Sequence, residues 1–202
     1  MKKIWLGLIV ALAVAGCAPK PQPTEKPTVV VSFYILEEFT RRVTGDLVTI
    51  VNLMPNGGDA HDFELSVADR LQVEDADHVL LLGNDFEHWA EDVYDDPATA
   101  EGVLIVGKNV KPRMDPLVNQ IDPHIWLSLR NAIVMMETIK DYFSENDPKN
   151  AATYVTNFEA AKAEFEALDQ EFMTVLSGRV RDEFLTNHAA FGYLAHDYGL
   201  VM

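Results

Sequence analysis

Three of the six histidines, His61, His124 and His188, each lie in a loop just after a segment that reads as a β-strand. In open parallel sheets the loops beyond the carboxyl ends of the strands converge, and ligands bind there. Neutral imidazole suits zinc, so three rings brought to one point could hold a divalent cation. The separations of 63 and 64 residues exclude a local helical motif such as His-Glu-x-x-His. Spacing alone leaves the plainer alternative open, that each is an ordinary polar loop residue. His78, which begins a strand, and His88 and His196, which fall on helices, read as structural. A trio of imidazoles could also imitate a catalytic zinc, but no dedicated base or nucleophile stands beside it, which disfavours an enzyme.

The elements that must position these rings follow from the hydrophobic pattern. Short β-rich runs at 29–34, 47–53, 78–82 and 103–106 alternate with helical periods, as in a parallel sheet. The fold class is therefore α/β. The first run, Val-rich and continuous, suits a strand buried on both faces. Helices are predicted at 35–43, ending near Gly45; after a Ser66 N-cap, through residue 76; and after a Ser128 N-cap, with Leu129, Ala132, Ile133, Met136, Ile139 and Phe143 on one side. Asp147 and Pro148 signal the start of a long helix over 148–177. Its stripe of Tyr154, Phe158, Ala161, Phe165, Leu168, Phe172 and Val175 is spaced by fours and threes. At 1.5 Å per residue that helix would run roughly 45 Å, a spine packed along its own chain. A strand-like segment at 183–186, a helix at 189–197 and the start of another strand near Leu200 close the chain.

With 202 residues, 48% hydrophobic and 24% charged, the chain can bury a core. A net charge of −16 repels phosphate backbones and draws cations, so nucleic acid is not an expected partner. At the N-terminus Lys2 and Lys3 precede an apolar run over 4–15, shorter than the roughly 20 residues a bilayer span needs. It reads as a secretory signal over residues 1–16. The run closes on Val14, Ala15, Gly16 and Cys17, which resembles a bacterial lipobox and implies a lipid on Cys17. Because Cys17 is the single cysteine, no disulfide can form within the chain. Pro19, Pro21, Pro23 and Pro27, interleaved with polar residues, make 17–28 a tether.

The local sequences around the histidines are more specific than their spacing. Asp59, Ala60, His61, Asp62, Phe63 and Glu64 resemble the Pro-His-x-Tyr/Phe-Glu-Pro motif of the zinc and manganese substrate-binding lipoproteins of bacterial ABC importers, the zinc-uptake and TroA-like cluster A-I family. Asp122, Pro123, His124, Ile125, Trp126 and Leu127 are similar to its Asp-Pro-His-x-Trp motif. His188 to Tyr193, continuing to Tyr198, Gly199 and Leu200, resemble its third ligand segment, and Asn84, Glu87 and Trp89 fit the segment after the third strand. Ala60 and Leu65 depart from the pattern, standing where proline is usual.

The resemblance implies a metal held between two lobes by His61, His124 and His188, with Asp62 or Asp122 orienting a ligand ring from behind. It implies an N-terminal lobe over 29–147, a connecting helix over 148–178, and the start of a C-terminal lobe over 179–202. The family's fourth ligand, an Asp or Glu, would lie beyond residue 202, so the second lobe is expected to be incomplete. Three nitrogens and a carboxylate favour zinc, with manganese the alternative. No His-rich loop occurs between Lys108 and Gln120, so scavenging by such a loop is not expected. The implied function is extracytoplasmic metal capture by a lipid-anchored monomer, with delivery to an ABC permease and its ATPase. The alternatives are a manganese-binding homologue and a surface lipoprotein or adhesin that transports nothing.

Overall fold

A four-stranded, wholly parallel sheet carries the fold, with strands in the order β2-β1-β3-β4. The computed structural model describes residues 26–54, 63–84, 86–115 and 119–202. The strands are β1 (Thr28–Val31), β2 (Thr49–Asn52), β3 (His78–Leu81) and β4 (Val103–Ile105). β1 sits between β2 and β3, and Val29, Val30 and Val31 are wholly buried, as a strand covered on both faces must be. The period of two divides the core. Val29, Val31, Leu80, Leu82 and Leu104 face one hydrophobic cluster, and Val30, Val79 and Leu81 face another containing Leu53, Val73 and Trp89.

The first predicted strand ends earlier than its apolar run. Ser32 makes one more ladder bond to Leu80, and Phe33 then becomes the N-cap of helix α1 (Tyr34–Thr44). α1 stops at Gly45, whose φ of 55° a side chain would resist. Helix α2 (Val67–Glu74) opens with a full capping box, in which Ser66 and Asp69 satisfy each other's backbone N–H groups.

Ser128 caps helix α3 (Leu129–Asn146) by accepting the Asn131 N–H. The predicted long helix begins later than expected. Pro148–Asn150 form a 3-10 turn, and helix α4 runs over Ala151–Ser177. The Asp147 carboxylate accepts bonds from Asn150 Nδ2 at 2.7 Å and from the Tyr154 hydroxyl at 2.8 Å, which holds the α3–α4 corner. The stripe along α4 is a spine over only its first half. Tyr154, Phe158 and Ala161 are buried and Phe165 packs edge-on to Phe39, but Leu168 and Val175 are exposed.

Two short strands absent from the sequence reading, β5 (Met114–Asp115) and β6 (Gln120–Ile121), pair antiparallel ahead of the His124 loop. Helix α5 (Gly192–Tyr198) begins three residues after the predicted start and closes on Gly199 at a φ of 64°. The expected strand at 183–186 is a single parallel bridge between Glu183 and Val201. Among the described residues no helix is long and apolar enough to cross a membrane.

Candidate metal site

His124 sits in a tight loop that β6 delivers and α3 receives. The Ile125 N–H folds back to the Pro123 carbonyl at 2.7 Å, and Ile125, fully buried, anchors the following 3-10 turn. Asp122 Oδ1 accepts two bonds from the same residue, the His124 backbone N–H at 2.9 Å and ring Nδ1 at 2.7 Å. Both side chains are buried. A proton held on Nδ1 by that carboxylate leaves Nε2 as a lone pair, the form a metal needs. Trp126 flanks the ring at 5.4 Å and packs against Phe33 and Phe86, so the aromatic cluster fixes the imidazole from the side.

His188 enters from the segment before α5. The Thr186 hydroxyl donates to the His188 carbonyl at 2.9 Å and accepts its N–H at 3.3 Å, and the Ala190 N–H also reaches that carbonyl. This turn aims the ring at His124. The two Nε2 atoms stand 3.0 Å apart, with ring centroids 4.9 Å apart and planes at 81°. Two nitrogens on a tetrahedral zinc, each at roughly 2.0 to 2.1 Å, would be about 3.3 Å apart. The observed spacing is close to what one shared cation requires. Among the described residues, no set of three or more His, Cys, Asp or Glu side chains is gathered closely enough to hold an ion. His61, Asp62 and Cys17 lie outside the described residues.

Both rings face a cavity of about 850 Å³ at the carboxyl ends of β3 and β4, also lined by Asn84, Glu87, Glu91 and Asp115. Glu87 does not present a free carboxylate to it. Its Oε1 accepts the Ser32 hydroxyl at 2.6 Å and the Leu82 N–H at 2.7 Å, and Oε2 accepts the Gly83 N–H at 3.0 Å. Burial pushes its pKa up, and these three bonds pull the other way. Glu87 thus clamps the ends of β1 and β3 together beneath the site.

Of the three histidines read as structural, His78 bonds Tyr142 at 2.9 Å at the opposite end of β3, and His88 and His196 are exposed. Sequence reasoning missed Gly192 and Tyr193 as site residues. Tyr193 accepts the Arg113 N–H at 2.9 Å and donates to the Asp122 carbonyl at 3.2 Å. The signal was within the third motif, but its partners lie far upstream.

Residues 29–202 match the family described as zinc-uptake complex component A, periplasmic. The chain is 32% identical over 216 aligned positions to the zinc-binding lipoprotein AdcA of Streptococcus pneumoniae serotype 4, covering 99% of this chain and 43% of that protein. It therefore spans less than half the length of that relative. The fold superimposes with a TM-score of 0.80 on the crystal structure of a zinc-bound ZnuA deletion mutant, at 30% identity, covering 88% of this chain and 68% of the other. A TM-score of 0.80 is also found with the laminin-binding protein Lmb of Streptococcus agalactiae, described as bifunctional with adhesin and metal-transporting activity, at 31% identity over 87% of this chain and 66% of Lmb.

Proposed function

The chain belongs to the family of zinc-uptake complex component A periplasmic proteins, and on that premise we propose that it captures zinc outside the cytoplasm and passes it to an ABC permease energised by its ATPase. The observation that carries this reading is the convergence of His124 Nε2 and His188 Nε2 to 3.0 Å, with Asp122 fixing the tautomer of the first ring. His61 is the third ligand and Asp62 a further orienting carboxylate in this proposal. Cys17 carries the lipid that holds the protein at the membrane, residues 17–28 are the tether, and the body works as a monomer. The lobe over 29–147, the connector over 148–178 that contains α4, and the segment from 179 onward are its working parts.

The chemistry fits a holding role. Imidazole nitrogens favour zinc over manganese, which prefers oxygen donors. A net charge of −16 draws cations toward the protein. Nothing in this proposal requires a reaction, and we read the protein as a carrier, not an enzyme.

The test is calorimetric titration of zinc and of manganese into this chain, alongside His124→Ala and His188→Ala. The wild-type chain should bind zinc more tightly than manganese, and each variant should weaken zinc at least about 100-fold, beyond what loss of an outer-sphere partner costs. A wild-type chain that takes up neither ion would overturn the proposal.

A further inference from the structure

Arg113 and Asp122 face each other just outside the β5–β6 pair, and the Asp122 N–H donates to the Arg113 carbonyl at 2.8 Å. In a regular antiparallel pair such residues also exchange the reciprocal bond, here from the Arg113 N–H to the Asp122 carbonyl. That second bond is replaced by a side chain. The Tyr193 hydroxyl stands between the two groups, accepting the Arg113 N–H at 2.9 Å and donating to the Asp122 carbonyl at 3.2 Å. The Tyr193 ring is buried beneath the Arg113 guanidinium, 5.9 Å away.

The residue before it touches the same aspartate. A Cβ on Gly192 would lie 2.6 Å from Asp122 Oδ2, closer than any ordinary contact. The carboxylate is thus held between the α5 backbone on its Oδ2 side and His124 on its Oδ1 side. The hydroxyl sets the height of the Asp122 main chain, and the bare glycine leaves room for its side chain.

We propose that Tyr193 and Gly192 are positioning residues for His124, acting through Asp122, so that α5 sets the geometry of a ligand on the other side of the site. Removing the hydroxyl leaves a half-buried N–H and a buried C=O to find each other, which draws the hairpin together and moves Asp122. Adding a methyl at Gly192 displaces the carboxylate from the other side. Either change frees the His124 ring from the tautomer and orientation that keep Nε2 unprotonated and aimed at His188.

This inference rests on the zinc reading above, and two readouts keep the two apart. The first is the apo protein: ¹⁵N NMR of the His124 ring reports its tautomer with no metal present. In the wild type the Nδ1–H form should dominate, and Tyr193→Phe and Gly192→Ala should mix the tautomers. The second is zinc affinity by calorimetry, where each variant should lose about 10- to 100-fold, the range typical of partners behind a metal ligand. Gly178→Ala, at a glycine with nothing within 4 Å of the added carbon, is the control and should change neither.

A general loss of folding would lower affinity but would add to the effect of Asp122→Asn. A positioning role would not. The double variant Asp122→Asn/Tyr193→Phe should bind zinc no more weakly than Asp122→Asn alone. Additive losses, or unchanged ring signals in a folded Gly192→Ala, overturn the inference even where the wild type binds zinc. A wild type that binds no zinc, with variants that still mix the His124 tautomers, defeats the function and leaves the positioning intact.

Discussion

The Ser128 hydroxyl donates to Asp197 Oδ2 at 2.5 Å while accepting the Asn131 N–H at 3.1 Å. One oxygen caps α3 and fastens it to α5, 69 residues away. Loss of an N-cap costs about 1 kcal/mol and loss of a bond to a charged group about 1.5 to 3 kcal/mol. Ser128→Ala should therefore destabilise the protein by about 2.5 to 4 kcal/mol in urea unfolding. A change under about 0.5 kcal/mol would show that solvent replaces the hydroxyl without cost.

Glu87→Gln tests the clamp beneath the site. The carboxylate accepts three bonds through two oxygens, two of them from the backbone N–H groups of Leu82 and Gly83. An amide has one acceptor oxygen, so its NH2 must face one of those donors. Leaving a buried donor unmatched costs about 1 to 3 kcal/mol. The variant should lose that much stability, read as a lower urea midpoint at unchanged slope; an unchanged midpoint would mean the loop re-forms around the amide.

His78 predicts an acid-side slope. Burial lowers its pKa from the usual 6.5, with the Asp77 charge opposing, and the ring is enclosed by Tyr142 and Phe143. The unfolded chain takes up a proton near pH 6.5, whereas the folded chain does so only at lower pH. The unfolded state then binds more protons, so stability is full above that value and falls as the pH drops toward the lowered folded value. His78→Gln should lose less stability than the wild type between about pH 7 and pH 5. Parallel slopes for the two proteins would contradict this.

Exchange of backbone amides should divide α4. Tyr154, Phe158 and Ala161 are buried against α1 and α3, whereas Met173 and Val175 are exposed. Amides in the seated half should exchange about tenfold or more slowly than those near Ser177. Uniform protection along the helix would show that it opens as one unit.

The parts of the fold that were legible in the sequence are those where one local rule decides. Val29 to Val31 read as a doubly covered strand because nothing else buries so continuous a run, and Ser66 and Ser128 read as caps because their side-chain oxygens complete a helix start. The start of α4 was misread because Asp147 spends its carboxylate on Asn150 and Tyr154, leaving Pro148 in a separate turn. The β5–β6 hairpin was invisible, having two residues per strand and no apolar alternation. His124, His188 and Asp122 stood out through their motifs, and the structure brings these three together. The role of Tyr193 could not be read, since its hydroxyl completes a backbone ladder 80 residues upstream.

α4 extends for 27 residues, about 40 Å. Its first half is seated on α1 and α3, and farther along Phe172 stacks on Tyr198 at 5.2 Å while Asp169 accepts the Tyr198 hydroxyl at 2.8 Å. α5 returns to the start of α3 through Ser128. These joints make a triangulated frame, which cannot shear unless one of its sides gives way. The loop that carries His124 runs into one corner of this frame at Ser128, and the segment that carries His188 runs into another at α5, so the spacing of the two imidazoles is braced by the long strut between them.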